Sequence, residues 1–172
     1  CLINNAAFNP KIEGNKKGFG KFEKLNLKTW NDEISLNLTA PVFLTKALLP
    51  VFNKSENDYC KIINVISTYG LVPPNQSIYD SVSKKSGFEI IKPIGYPVTK
   101  AGLAMATKYL SVYLGKNGFN VNGIAPGGIE NHQDEVFIKA YSQQVPMGRM
   151  GKADEMLETL YLLATSGSNY IN

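Results

Sequence analysis

Lys61-Ile62-Ile63-Asn64-Val65-Ile66, followed at once by Ser67, is the stretch that decides the fold. Four of its six positions are β-branched aliphatics, with no alternation of apolar and polar residues. That is the pattern of a parallel strand buried on both faces; a strand with one wet face alternates. Moving towards the C-terminus, Tyr96 to Gly115 has a helical apolar face that includes Leu103, Leu110 and Leu114, and Gly115 and Gly118 supply a stop. A second strand follows over Phe119 to Ala125 and ends at Pro126-Gly127-Gly128. Moving towards the N-terminus, the pattern is helical from Thr29 to about Asn53, with Thr29 as N-cap, Asp32 in the capping-box position and Pro50 near the end. Residues 1–5 read as a short strand, and Glu135–Gln144 and Ala153–Ala164 as short helices. Strands alternating with helices predict an α/β fold with a doubly wound parallel sheet, in which ligands sit beyond the carboxyl ends of the strands.

The 172 residues, 44% hydrophobic and 19% charged, suit one ordinary globular domain. A formal charge of +4 is too mild for a nucleic-acid surface; the densest basic run, Lys11 to Lys28 with six Lys and two Glu, reads as a solvated loop. Cys1 and Cys60 have neither CxxC nor zinc spacing, and one histidine, His132, builds no metal site or Ser-His-Asp triad. No apolar run in the sequence approaches the ~18 residues of a membrane span, so the expectation is a cytoplasmic protein with no metal, nucleic-acid or membrane partner. The chain opens inside a strand at Cys1-Leu2-Ile3-Asn4 and closes at Ser168–Asn172 just after an apolar helix, so truncation at both ends is expected.

Chemistry is carried first by Tyr96-Pro97-Val98-Thr99-Lys100. Residues four apart share a helical face, and a lysine ammonium beside a phenol favours the phenolate, which makes a general acid/base for carbonyl/alcohol interconversion. Pro97 is tolerated in the first turn. Alone the pattern is common. Its context is not: Ser67 ends the central strand, Asn37 interrupts the apolar pattern as Leu36-Asn37-Leu38, Asn4-Asn5-Ala6-Ala7 follows the first strand, and Asn122 to Ile129 follows the last.

Taken in this order, these motifs resemble the classical short-chain dehydrogenases/reductases along essentially the whole chain. Asn4-Asn5-Ala6-Ala7 is similar to the family's NNAG, with Ala7 in place of glycine; Tyr96 to Gly102 resembles its active-site motif, and Asn122 to Gly127 its N-x-x-x-P-G motif. The resemblance implies a Rossmann-type domain, here a single partial domain over 1–172 that lacks its N-terminal strands and represents the C-terminal two-thirds. It implies a catalytic set of Asn37, Ser67, Tyr96 and Lys100. Cofactor contacts are implied at Asn5, Tyr96, Lys100, Pro126, Gly127 and Ile129, with NAD or NADP as cofactor, a small-molecule substrate and a homodimer or homotetramer. The Gly-rich phosphate turn and the acidic ribose-binding residue of such domains are absent, so the chain alone is expected to be inactive.

The spacing departs from the family, because 29 residues separate Ser67 from Tyr96. Tyr79 lies nearer the usual distance, but its lysine, Lys84, is five residues on, off the tyrosine's helical face, and no apolar helix follows. The insert, with Asn131, Gln133 and Pro146-Met147-Gly148-Arg149-Met150, is similar to oxidoreductases of flagellin modification and bacterial nonulosonate pathways. It reads as a flap beside the substrate pocket, with Asn75, Gln76, Ser77, Lys84 and Lys85 suited to a hydroxylated or anionic substrate. Two rival readings stand: an extended-type sugar-nucleotide epimerase or dehydratase, and a non-catalytic binding protein on the same fold.

Overall fold

The computed structural model describes residues 1–9, 20–52 and 59–172. Most of the Lys-rich loop and Asn53, the expected end of the first helix, lie outside them. Three parallel strands, β1 (Leu2–Asn4), β2 (Cys60–Val65) and β3 (Phe119–Ile124), form one sheet in the order β1-β2-β3. The register pairs Leu2 with Ile62 and Asn4 with Asn64 on one side, and Cys60 with Phe119 and Val65 with Ile124 on the other.

Parallel neighbours need long crossovers. The first contains α1 (Leu27–Ile34), a π-helical turn (Ser35–Thr39) and α2 (Ala40–Phe52), continuous as one helix, Leu27–Phe52. Asn26, not Thr29, caps it: its side chain accepts from the N–H groups of Lys28 and Thr29. Asn is among the strongest N-caps, and here it stands one turn earlier than the capping-box spacing suggested. By length and composition this 26-residue helix could cross a membrane. Here Glu33, Asn37 and Thr45 turn inward, and Leu49 and Phe52 pack on the sheet.

The second crossover holds α3 (Asp80–Ser86) and α4 (Gly95–Gly115), the insert contributing α3 and two 3₁₀ turns where the sequence showed only weak periodicity. After β3 come α5 (Glu135–Ser142), capped by Asp134, and α6 (Leu157–Ala164). On one face of the sheet Ile62, Phe119 and Val121 pack with Leu114 of α4, and Phe52 meets Phe119 edge-on at 5.8 Å. On the other face Lys61 is buried. Its ammonium donates to Asn120, Ser168 and Asn169, which ties the C-terminal segment to the sheet. A smaller cluster, Ile78, Tyr79, Val82 and Ile90, packs the insert against Phe137 and Tyr141 of α5.

The 3₁₀ turn Thr68–Gly70 after β2 touches α4 so closely that a Cβ on Gly70 would lie 2.7 Å from the backbone carbon and oxygen of Lys100. Backbone cannot give way as a side-chain tip can. Gly70→Ala is expected to destabilise the protein by roughly 1–3 kcal/mol, the usual cost of overpacking, read as a lower urea midpoint at unchanged slope.

Candidate active site

Pairing between β2 and β3 runs on past the strands: Ile66 N–H donates to Ile124 C=O at 2.8 Å and Thr68 N–H to Pro126 C=O at 3.0 Å. The residues after both strands are thereby held side by side at the carboxyl edge of the sheet. Ser67, fully extended, starts the 3₁₀ turn and accepts from the Tyr69 N–H at 3.2 Å. Its side chain lies on the same cavity wall as that of Tyr96, the second residue of α4, near enough to act on the phenol. Two segments far apart in the chain thus bring a hydroxyl and a phenol together.

Lys100, one turn along α4, is 2% exposed; its ammonium donates to Val65 C=O at 2.6 Å and lies 5.8 Å from the Tyr96 ring centre. Burial lowers its pKa to about 8. Burial pushes the Tyr96 phenol above its ordinary value, and the nearby Ser67 hydroxyl pulls it back. The protein's own packing therefore works against the lowered phenol pKa expected from the sequence. The ammonium of Lys100 is engaged by a carbonyl, not by the phenol oxygen.

Asn37 is 0% exposed and sits in the π-helical turn, a feature frequent at functional sites. Its amide oxygen accepts from Phe8 N–H at 2.6 Å, and its amide nitrogen donates to Phe8 C=O at 2.9 Å and Thr99 Oγ1 at 3.2 Å. The side chain pairs with both the N–H and the C=O of Phe8, in the loop after β1, and ties that loop to α4. With donor and acceptor both engaged, the Asn37 side chain clamps that loop to α4.

A cavity of about 760 Å³ opens at the strand ends, within the range of small-molecule sites. Asn5, Ser67, Tyr96, Pro126, Gly127 and Ile129 line it; Lys100 lies behind Tyr96, off the wall. The turn Pro126–Ile129 is pinned from outside. Gly128 N–H donates to the Tyr141 hydroxyl at 2.5 Å, a Cβ on Gly128 would run into that ring at 2.6 Å, and Ile129 bridges to Gly151. Those six lining residues offer an amide, two hydroxyls and glycine backbone, a set suited to a nicotinamide and its ribose; the charged side chains on the wall are Lys92 and Glu130.

The insert borders this cavity, but through Tyr79, Val82 and Lys92. The polar residues expected to face substrate serve other ends. Asn75 donates to Gln144 and Gln144 to Ser77, Lys85 pairs with Asp134 on α5, Gln76 holds the Lys92 backbone, and Lys84 lines a second depression within the insert. Asn75, Ser77 and Lys85 fasten the insert to the residues that flank α5. Tyr79 is buried among Ile78, Val82 and Ile90, its ring 5.6 Å from that of Phe137. The sequence reading missed Lys92, Tyr141 and Met150; lysines four residues before and four after Tyr96 were visible, but nothing in the pattern showed that the first would turn inward.

The family model described as enoyl-(acyl carrier protein) reductase matches residues 1–172. Dehydrogenase/reductase SDR family member 4 of Rattus norvegicus is 26% identical over 99% of the chain and 54% of its own length. The 3-oxoacyl-(acyl-carrier-protein) reductase of Aquifex aeolicus is 27% identical over 87% of the chain and 55% of its own length. The chain spans about half the length of the curated relatives it matches. A short-chain dehydrogenase from Leptospira borgpetersenii, solved with bound NAD+, superposes with a TM-score of 0.82 at 29% identity, covering 99% of this chain and 59% of that one. A family match running from the first residue to the last, and a solved dehydrogenase that overlays nearly all of it on the same Rossmann-type α/β sheet, make the chain a member of the classical short-chain dehydrogenase/reductase family.

Proposed function

We propose that the whole protein is an NAD(P)-dependent oxidoreductase acting on a carbonyl or secondary alcohol, and that residues 1–172 are one partial Rossmann-type domain carrying its reacting end. The observation that carries this is the meeting of Ser67 and Tyr96 on one cavity wall, with the Lys100 ammonium 5.8 Å from the Tyr96 ring centre. A bound nicotinamide supplies or accepts the hydride. Asn5, Pro126, Gly127 and Ile129, which line the cavity at the strand ends, would hold it there. Ser67 donates to the substrate oxygen, Tyr96 gives or takes the proton there, and Lys100 provides positive charge behind the phenol. Asn37 acts by holding the loop after β1.

The finer reading is a sugar-like substrate and the flagellin-modification or nonulosonate subgroup. It is supported by the long insert walling the cavity with Tyr79, Val82 and Lys92. A homodimer or homotetramer is supported by the outward side chains Met105, Tyr109, Val112 and Tyr113 on α4, an apolar face larger than solvated helices usually carry. The epimerase reading would require product formation with no net change in nicotinamide, and the binding-protein reading none at all.

In the full-length protein, Tyr96→Phe is expected to cut turnover by ~10²–10⁴-fold, the worth of a general acid/base, with NAD or NADP binding retained by isothermal titration. Tyr79→Phe should keep its rate. The opposite pattern would overturn the assignment. Because Tyr96 must carry its proton to reduce a carbonyl and must lack it to oxidise an alcohol, reduction should slow and oxidation quicken as pH rises. A pH series run in both directions checks this.

Asn37→Ala leaves the Phe8 peptide without its partner. We expect a loss of about 1–3 kcal/mol in thermal or chemical denaturation, together with weaker cofactor binding as the Asn5–Asn9 loop loosens.

A further inference from the structure

Tyr96 is flanked by two lysines, and the nearer one is not Lys100. The Lys92 ammonium lies 4.5 Å from the Tyr96 ring centre, against 5.8 Å for Lys100. Lys92 is 6% exposed and lies on the cavity wall. Burying an ammonium costs far more than filling the same space with an apolar side chain, so the position calls for a reason.

The surroundings fix it there. Gln76 pairs with the Lys92 backbone on both sides, accepting from its N–H at 2.9 Å and donating to its C=O at 3.2 Å. The ammonium donates to Asn9, next to the Phe8 peptide that Asn37 clamps. Glu33 of α1, 1% exposed, presses its carboxylate against Gly95, where a Cβ would lie 1.5 Å from Oε2; Oε1 has no hydrogen-bond partner among the described residues. Glu33 and Lys92 act on each other. Burial raises the carboxyl pKa while Lys92 lowers it, and burial brings the Lys92 pKa down to about 8 while Glu33 raises it. The groups facing Tyr96 are then the Ser67 hydroxyl, the Tyr69 phenol, Lys92 and Lys100, with Glu33 behind Lys92.

We propose that Lys92 is a second positioning cation for Tyr96, holding the phenol towards its ionised form from the ring face, and that the insert between Ser67 and Tyr96 is the device that delivers it. This rests on the reading of Tyr96 as the proton-transfer group. A phenolate spreads negative charge over its ring, so a cation on the ring face gains when the proton leaves. Lys100, hydrogen-bonded to Val65, covers one approach to the phenol; Lys92 covers another. The contribution is present while Lys92 is protonated, and because a phenolate in turn favours the ammonium, the two groups titrate as a pair.

The test uses the full-length protein with tyrosine ¹³C-labelled at Cζ, whose chemical shift reports ionisation directly; the Tyr96 signal is the one lost in Tyr96→Phe. Lys92→Gln removes the charge but keeps a donor for Asn9, and Lys92→Met is the second neutral variant should the first fail to fold. The expected result is a Tyr96 titration midpoint raised by about one pH unit or more in either neutral variant, restored in Lys92→Arg. The pH–rate profile should move the same way by the same amount. A midpoint equal to wild type in a folded neutral variant, or a raised midpoint that Lys92→Arg fails to restore, overturns the proposal. A midpoint that moves while the pH–rate profile does not supports the Lys92–Tyr96 coupling and instead overturns Tyr96 as the proton-transfer group.

Discussion

β2 is hydrogen-bonded along both edges and covered on both faces, and everything that makes the site depends on its orientation. Its neighbours are parallel, so all three strands end on the same side. The crossover helices must then return over the sheet, which brings the first turn of α4 back to the end of β2. Lys100 fastens that meeting point by donating to the last carbonyl of β2. Ser67 and Tyr96 meet because the strand and the helix have no other way to be joined.

The polar groups on this sheet are connected, not stray. Asn4 donates to Asn64, Asn64 to Thr107 and Thr107 to Leu103 C=O, a chain from β1 through β2 into α4 beneath the apolar cluster. A fully satisfied network of this kind rigidifies a core and specifies one arrangement. Asn37 does the same one layer outward, replacing a strand partner for the Phe8 peptide with a side-chain amide. The π-helical turn is the local cost of placing that amide, since it breaks the regular 3.6-residue spacing that α1 and α2 otherwise share.

Around Tyr96 the balance is electrostatic. Burial alone opposes ionisation of the phenol and opposes protonation of both lysines. A phenol and an ammonium that each resist charge in isolation favour it together, because each stabilises the other's charged form at short range and low dielectric. Tyr96 sits where that mutual effect is available from two sides, with the Glu33 carboxyl behind one of the cations. Water would weaken all of it, and the small aromatic cluster of the insert and α5 is what walls that side of the cavity.

The sequence by itself determined the element order, the parallel sheet and the placing of Tyr96 and Lys100 on one helical face. Each of these follows from local facts: a doubly buried strand must be apolar throughout, a helix shows its period, and residues four apart share a face. It also determined that Tyr79 has no lysine at helical spacing. Only the tertiary structure decided what the long insert does. Its side chains are polar by composition, and composition does not say which partner a polar group finds; Asn75, Ser77 and Lys85 found the residues flanking α5, whereas Lys92 turned inward to Tyr96. The role of Asn37 was hidden for the same reason. An amide in an apolar stripe announces an exception, but the peptide it clamps lies 29 residues away in the chain and is brought to it by the fold alone.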